Sequence, residues 1–431
     1  MLTALVIVFI ILVSMRMSFA FALGIAATIA IAFFTDIPLA AIPHKMVNGI
    51  SSYVFIAIPL FLLAGRLMNA GGITDRLFKF ARVLVGNIYG GLAHANVFAS
   101  MMFAWMSGSA VAAVGGLGEI EIKAMKDNGY DTPFAASVAT AASVLGPIIP
   151  PSIPMIMYAA MTGVSVGRLF LGGIFPGLLM GALLMVLIYF MSRTRNYPRD
   201  PRPSVKEILT ATKEAIIPMI MPVIMLGGIA AGIFTPTEAA AVAAAVAAAY
   251  ALLISMFVYR TVKLRDLPKI FVEAMISTAV ITFIISVTSC SSFLLSVEEA
   301  GTKLAETVIN LTSNKYVVLF MVNILLLIFG ALMEAGVVLI LFTPILFPVL
   351  TSLGINPIHL GVIMCANLMI GVATPPVGVC LFMMSHISKL KMEVLMRAIL
   401  PFLIPIIIAL LLFTYISEIV MFLPDLIMPA K

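Results

Sequence analysis

Charge is scarce in this chain. Asp, Glu, Lys and Arg make up 10% of its residues and hydrophobic side chains 62%, whereas a soluble domain carries about 25% charge. With a mean hydropathy of +1.18, that deficit excludes a water-soluble globule and indicates a polytopic membrane protein. Cysteine is nearly absent as well. Cys290, Cys365 and Cys380 show neither pairing nor metal-ligand spacing and sit among apolar or small residues, so they read as packing residues. There is no phosphate-binding glycine loop, no nucleophile elbow and no metal cluster, which leaves ATP-driven transport and membrane enzymology without a motif. Residues 1–13 are apolar but lack a basic flank and a small-residue cleavage site, and are expected to be a retained helix. The formal net charge of +6 is concentrated in short loops, where it marks a cytoplasmic side rather than a nucleic-acid surface.

Against this background two short runs stand out, Gly146-Pro147-Ile148-Ile149-Pro150-Pro151 and Gly371-Val372-Ala373-Thr374-Pro375-Pro376. A continuous helix cannot pass through either, because each proline removes a backbone donor and clashes with the preceding turn. In lipid every freed backbone group needs a partner, so such a break persists only where it is buried in protein or lines a polar cavity. Both segments are therefore expected to be helices broken at membrane depth, and the breaks are the place for a binding site.

Taken in order, residues 1–34 form two short helices or one kinked one with Arg16 at the joint, and a helix follows at 53–68. An amphipathic stretch at 75–85 puts Arg76, Lys79 and Arg82 on one face, expected at the cytoplasmic surface. The run Ala104-Trp105-Met106-Ser107-Gly108-Ser109-Ala110 places small, polar residues inside an apolar stretch. It fits a helical hairpin turning at Ser107 to Ser109, or a kinked helix with a close packing contact. A broken helix at 132–163, a span at 167–192 and the basic, Pro-rich linker RTRNYPRDPRPSVK at 193–206 complete the first half. Spans at 217–233 and 237–258 lead to Arg260, Lys263, Arg265 and Lys269. The second half then runs through a span at 268–290, a hairpin at 316–351, a broken helix at 358–388 and a final span at 393–418. The division this implies is N-terminal scaffold helices at 1–89, a first transport repeat at 90–192, the linker, central scaffold helices at 207–315, and a second transport repeat at 316–431.

An offset of 225 residues relates Gly146 to Gly371 and also Gly129 to Gly354, Pro150 to Pro375, Pro151 to Pro376 and Pro176 to Pro401. Five matches at one offset, all of them glycine or proline, indicate an internal repeat. The loop charges give its orientation. With the linker cytoplasmic, the first hairpin opens to the cytoplasm beside Lys123 and Lys126. The second opens to the other side, flanked by Glu298, Glu299 and Glu306, and its broken helix ends in the cytoplasm near His386, Lys389, Lys391 and Arg397. Both termini are then periplasmic. The expected fold is all-α and polytopic, with two inverted-topology repeats that each carry a hairpin and a broken transmembrane helix. This is the architecture of secondary transporters.

A helix broken at its middle offers carbonyl oxygens that suit a hard monovalent cation and N–H groups that suit an anion. No charged side chain lies between Asp131 and Arg168, and between residues 316 and 385 the only one is Glu334, with His359 as a titratable neighbour. A cation there must be held by backbone carbonyls and hydroxyls, which favours sodium over a carboxylate proton relay, with Glu334 keeping the proton alternative open. His94 and Trp105 read as packing residues, the alanine-rich stretch at 239–251 as a closely packed helix, and the 30 methionines as flexible core filling. Arg66 and Glu238 are each candidates for burial in an ion pair, with no partner that the sequence names.

The run SGSAVAAVGGLGEIEIKAMKDNGYDTPFAASVATAASVLGPIIPPSIPMIMY from Ser107, together with GVATPPVGVCLF from Gly371, resembles the two signatures of the large membrane subunit of tripartite ATP-independent periplasmic (TRAP) transporters. The resemblance extends over essentially the whole chain. It implies sodium-coupled uptake of an organic acid, of the sialic acid or C4-dicarboxylate type, across the bacterial inner membrane by an elevator-like shift. It also implies a small membrane subunit and a periplasmic substrate-binding protein as partners, sodium as coupling ion and no other cofactor. By the same resemblance one sodium site uses Ser107 with carbonyls of Gly146, Ile149 and Pro151, and the other Gly330, Gly371, Thr374 and Val377. Substrate contacts are implied for Ser107, Ser109, Pro150, Pro375 and Pro376. Two departures from the family pattern are Glu334-Ala335 at the second hairpin tip, where Asp-Pro is common, and Glu119 and Glu121 at the exit of the first hairpin. The latter pair is expected at the cytoplasmic surface. A stand-alone sodium/divalent-anion symporter and a structural subunit with no substrate path are the rival readings.

Overall fold

The computed structural model describes residues 1–15, 17–230, 239–299, 303 and 314–429. Arg16, Glu238 and Glu306, singled out above, lie outside the described residues, as do parts of the segments 217–233 and 237–258. The N-terminal segment is two helices, α1 (Leu2–Ser14) and α2 (Phe19–Phe34), packed against one another. A short α3 (Ala41–Ile50) precedes α4 (Ala57–Ala70) and α5 (Ile73–Val85). The first hairpin is α6 (Gly91–Ser107) and α7 (Ala110–Asp127), turned at Gly108 with φ +58°. Phe103 meets Gly116 and Asn96 meets Met125 across it, so the arms run antiparallel. The first broken helix is α8 (Thr132–Ser143) and α9 (Ile153–Thr162), followed by α10 (Val166–Thr194).

The linker is shorter than its composition suggested, because α11 (Val205–Ala230) begins inside it. Ser204 and Glu207 explain this: the Ser204 hydroxyl accepts from the Glu207 N–H at 3.2 Å while Glu207 accepts from the Ser204 N–H at 2.7 Å. That reciprocal capping box starts a helix. Next come α12 (Ala239–Leu253) and α13 (Leu267–Val297), the latter longer than the expected span. The second hairpin is α14 (Lys315–Leu332) and α15 (Ala335–Ser352), with Phe329 and Phe342 facing each other at 4.9 Å below its tip. The second broken helix is α16 (Pro357–Gly371) and α17 (Val379–Ser388), and α18 (Met392–Tyr415) ends the repeat. A last helix, α19 (Glu418–Ile427), which hydropathy did not anticipate, packs on α10. Among the described residues eight helices are long and apolar enough to cross a membrane, whereas each half of the two broken helices is too short to do so alone.

The two repeats build the same local structures. Gly129 and Gly354 both adopt left-handed backbone, at φ +84° and +78°, and each is followed two residues later by a helix cap. Asp131 accepts from the Phe134 N–H at 3.1 Å, and Asn356 from the Ile358 N–H at 2.8 Å. The Pro150–Pro151 and Pro375–Pro376 bonds are both cis. Packing exchanges partners between repeats: α7 lies on α17 as α15 lies on α9, and α8 on α18 as α16 on α10. The alanine-rich α12 packs closely along α4, as small residues allow.

The basic face of α5 is more than a surface stripe. Its apolar side buries Leu77 and Ala81 against protein, and each cation has a partner on the linker or the central helices. Arg82 bonds Asp200 through both Nε at 2.7 Å and an Nη at 3.0 Å, Lys79 pairs with Glu214 at 3.2 Å, and Arg76 sits over the Tyr259 ring at 3.8 Å. The other end of the linker is tied to the first broken helix, where Arg195 pairs with Asp131 at 3.2 Å and Tyr197 stacks on Tyr130 at 4.5 Å.

Candidate functional site

The first break spans residues 144–152 between α8 and α9 and is buried throughout. Ser152 holds it together: its hydroxyl donates to the Pro147 carbonyl and accepts from the Met155 N–H at 3.3 Å, capping α9 while bridging the gap. The tip of the first hairpin sits directly on this break. A Cβ added at Gly108 would lie 2.6 Å from the Pro151 carbonyl oxygen, and one added at Gly146 would lie 3.2 Å from that of Ser109. The fold thus brings Ser107, Gly146, Ile149 and Pro151 to one place. The Ser107 hydroxyl is buried with no hydrogen-bond partner among the described residues. The carbonyls of Gly146, Ile149 and Pro151 accept no backbone N–H of a described residue. Such a set of bare oxygens fits a small hard cation.

The second break is arranged similarly but not identically. A Cβ at Gly371 would fall 2.4 Å from the carbonyl carbon of Gly330, so α14 touches the break with backbone alone. The contact lies one helical turn before the tip, whereas the first hairpin touches its break at the tip itself. The Gly378 N–H donates to the Ala331 carbonyl at 3.3 Å, and the Thr374 hydroxyl donates to the Ile370 carbonyl at 2.7 Å. Gly330, Gly371 and Thr374 are therefore neighbours, with Val377 in the same loop. Glu334 stands at the N-cap of α15 without a side-chain cap bond.

Between the two tips lies an apolar cavity lined by Ser109, Pro147, Glu334 and Val372, with Ile281 and Ile284 of α13 closing it. A larger one of about 590 Å³, within the usual range for ligand sites, adjoins it along α4, α7 and α13 and is lined by Ser107, Ser109 and Glu334. Ser107 and Ser109 thus face these cavities, but Pro150, Pro375 and Pro376 do not line them. Pro150 is buried within the first break and Pro376 is exposed.

Glu121 differs from its sequence-based placement, and Arg66 is paired but half-buried. Glu121 is 1% exposed, not at the surface: it lies between the hairpin arms beside Asn96 and Ser100. Two positions apart on α7, the pair is separated by about 200° around the helix, so Glu121 reaches the inner face while Glu119 is exposed. Arg66 pairs with Glu273 at 2.7 Å and donates to the Ser277 hydroxyl at 2.8 Å, a partnership across two helices that nothing local signals. Ser152 was likewise missed, although a serine two residues before Pro154 at a helix start is a cap signal. His94 is buried beside the Tyr89 backbone, and the three cysteines are buried and unpaired. Among the described residues no metal-binding cluster of His, Cys, Asp and Glu occurs.

Comparison with known proteins bears on this arrangement. The family profile described as "Tripartite ATP-independent periplasmic transporter, DctM component" matches residues 6–419. The C4-dicarboxylate TRAP transporter large permease protein DctM of Pseudomonas aeruginosa is 40% identical over 403 residues, covering 94% of this chain and 93% of that one. The sialic acid TRAP transporter large permease protein SiaM of Vibrio cholerae is 38% identical over 403 residues, covering 92% and 93%. The isethionate TRAP transporter permease protein DctMQ of Oleidesulfovibrio alaskensis is 38% identical over 401 residues and extends beyond the match, which covers 62% of its length. Among solved structures, the Alcanivorax borkumensis YdaH transporter aligns with a TM-score of 0.59 over 88% of each chain at 15% identity, a likeness of fold.

Proposed function

The chain belongs to the DctM family of large permease components of TRAP transporters, and from that premise we propose that it couples inward sodium flow to uptake of an organic acid. The observation that carries this reading is the pair of broken helices, each met by a hairpin and each presenting backbone carbonyls and hydroxyls where charged side chains are missing. Sodium is held at Ser107, Gly146, Ile149 and Pro151 in one repeat and at Gly330, Gly371, Thr374 and Val377 in the other. The carboxylate sits between the tips, near Ser107 and Ser109. Hairpins and broken helices move together, elevator-fashion, against a scaffold that includes α4, α12 and α13. A small membrane subunit and a periplasmic binding protein complete the system in the inner membrane, with both termini periplasmic. Substrates of the carboxylate class follow from relatives named for sialic acid and C4-dicarboxylates.

Uptake into proteoliposomes containing the chain, the small subunit and the binding protein is expected to require an inward sodium gradient. Uptake undiminished when potassium replaces sodium refutes the coupling. Transport by the chain alone would favour the stand-alone symporter instead.

A further inference from the structure

The cavity of about 590 Å³ has an uneven charge distribution that the sodium sites do not explain. One wall is made by the two hairpin tips, Ser107 and Ser109 of the first and Glu334 of the second, and the facing wall is α4 and α13, with Arg66, Asn69 and Ser277. Among the described lining residues Arg66 is the one cation and Glu334 the one anion. An organic anion that leaves the tips on this side passes a like charge, which disfavours it, and meets a single guanidinium. That guanidinium is held from behind. One Nη donates to Glu273, which does not line the cavity, and the other to the Ser277 hydroxyl. These bonds use two of the five N–H donors of an arginine. The side chain remains 39% exposed, so its fork is oriented but not spent.

We propose that Arg66 is the anion-recognition residue of this cavity. Its remaining donors take up the carboxylate of the substrate in the fork geometry that guanidinium offers and an ammonium does not. Ser277 orients the fork, and Glu273 is the counter-ion that sets how strongly it pulls. The assignment rests on the transport reading above and adds to it a specificity-determining residue on the scaffold side, outside both broken helices.

The test uses Trp105, the only tryptophan, two residues from Ser107, as a fluorescence reporter in the purified full chain. Succinate, N-acetylneuraminate and isethionate are each titrated at saturating sodium, and sodium is titrated alone. In Arg66→Gln the apparent Kd for the anions that bind is expected to rise about ten-fold or more, since a hydrogen bond to a charged group contributes about 1.5–3 kcal/mol. Arg66→Lys falls between, and the sodium titration is unchanged. Glu273→Gln is the discriminating variant: removing the competing charge is expected to tighten anion binding several-fold. A pair that is only structural predicts the opposite, with Arg66→Gln and Glu273→Gln losing anion binding and thermal stability alike. That result, an unaltered anion titration in Arg66→Gln, or a wild type that answers to sodium but to none of the three anions overturns the assignment. Failure of sodium-dependent uptake by the wild-type complex would instead strike the transport reading.

Discussion

A methyl group at position 371 has nowhere to go. Built on the backbone of Gly371, it would lie 2.4, 2.6 and 2.8 Å from the carbonyl carbon, Cα and carbonyl oxygen of Gly330. Carbon atoms in contact settle at about 3.5–4.0 Å. The obstruction is backbone, so no side-chain rotation relieves it, and Gly371→Ala must push α14 away from the break by roughly 1 Å. Overpacking of this kind costs about 1–3 kcal/mol, and it separates Gly330 from Gly371 and Thr374. The assay is thermal unfolding of the purified chain in a sodium titration with potassium making up constant ionic strength. A ligand at 100 times its Kd stabilises by about 2.7 kcal/mol, and a ten-fold rise in Kd removes about 1.4 kcal/mol of that. Gly371→Ala is therefore expected to lower the sodium-free Tm and to lose about half of the sodium-induced stabilisation from this site. Gly227→Ala is the control, because nothing lies within 4 Å of a Cβ there, and alanine in a helix is neutral or stabilising by up to about 1 kcal/mol. If Gly371→Ala matched wild type in both Tm and sodium response, the contact between the second hairpin and its break would be refuted.

Thr374→Val preserves volume but removes a hydroxyl whose proton already serves the Ile370 carbonyl at 2.7 Å, leaving its lone pairs for a cation. The half-saturating sodium concentration for uptake is expected to rise about ten-fold while folding changes by about 1 kcal/mol, and an unchanged sodium curve would remove Thr374 from the site. Ser152→Ala loses both the α9 cap and the bond across the first break, and should destabilise by about 1–3 kcal/mol. Equal midpoints in denaturant titration for variant and wild type would show that the break holds without it. Glu121→Gln keeps the shape and one acceptor oxygen while removing a buried carboxylate with which no described cation pairs. Its Tm is expected to equal or exceed that of wild type, and a marked drop would mean that the charge itself is needed.

Much of this fold is written in local chemistry that a sequence exposes directly. Proline without an N–H, and glycine in a left-handed turn, mark the two breaks and the Gly129 and Gly354 bends wherever they occur. The repeat offset therefore survives in those residues while the apolar positions drift. The Ser204–Glu207 capping box is equally local, so the early start of α11 was readable there too. Other features depend on which residues meet across hundreds of positions. Whether Glu121 faces water or Asn96 depends on how α7 rolls against α6. The exposure of Pro376, whose repeat mate Pro151 is buried, reflects what packs on each break, not the identical Pro-Pro sequence. The pairing of Arg66 with Glu273, and the backbone contact of Gly330 with Gly371, arise only once α4 meets α13 and α14 meets the second break. By itself the sequence determined where the helices must break and that the halves repeat, because backbone donors and sterics belong to single residues. Tertiary structure alone decided which oxygens surround each break and which cation faces the cavity, because those follow from packing between distant segments.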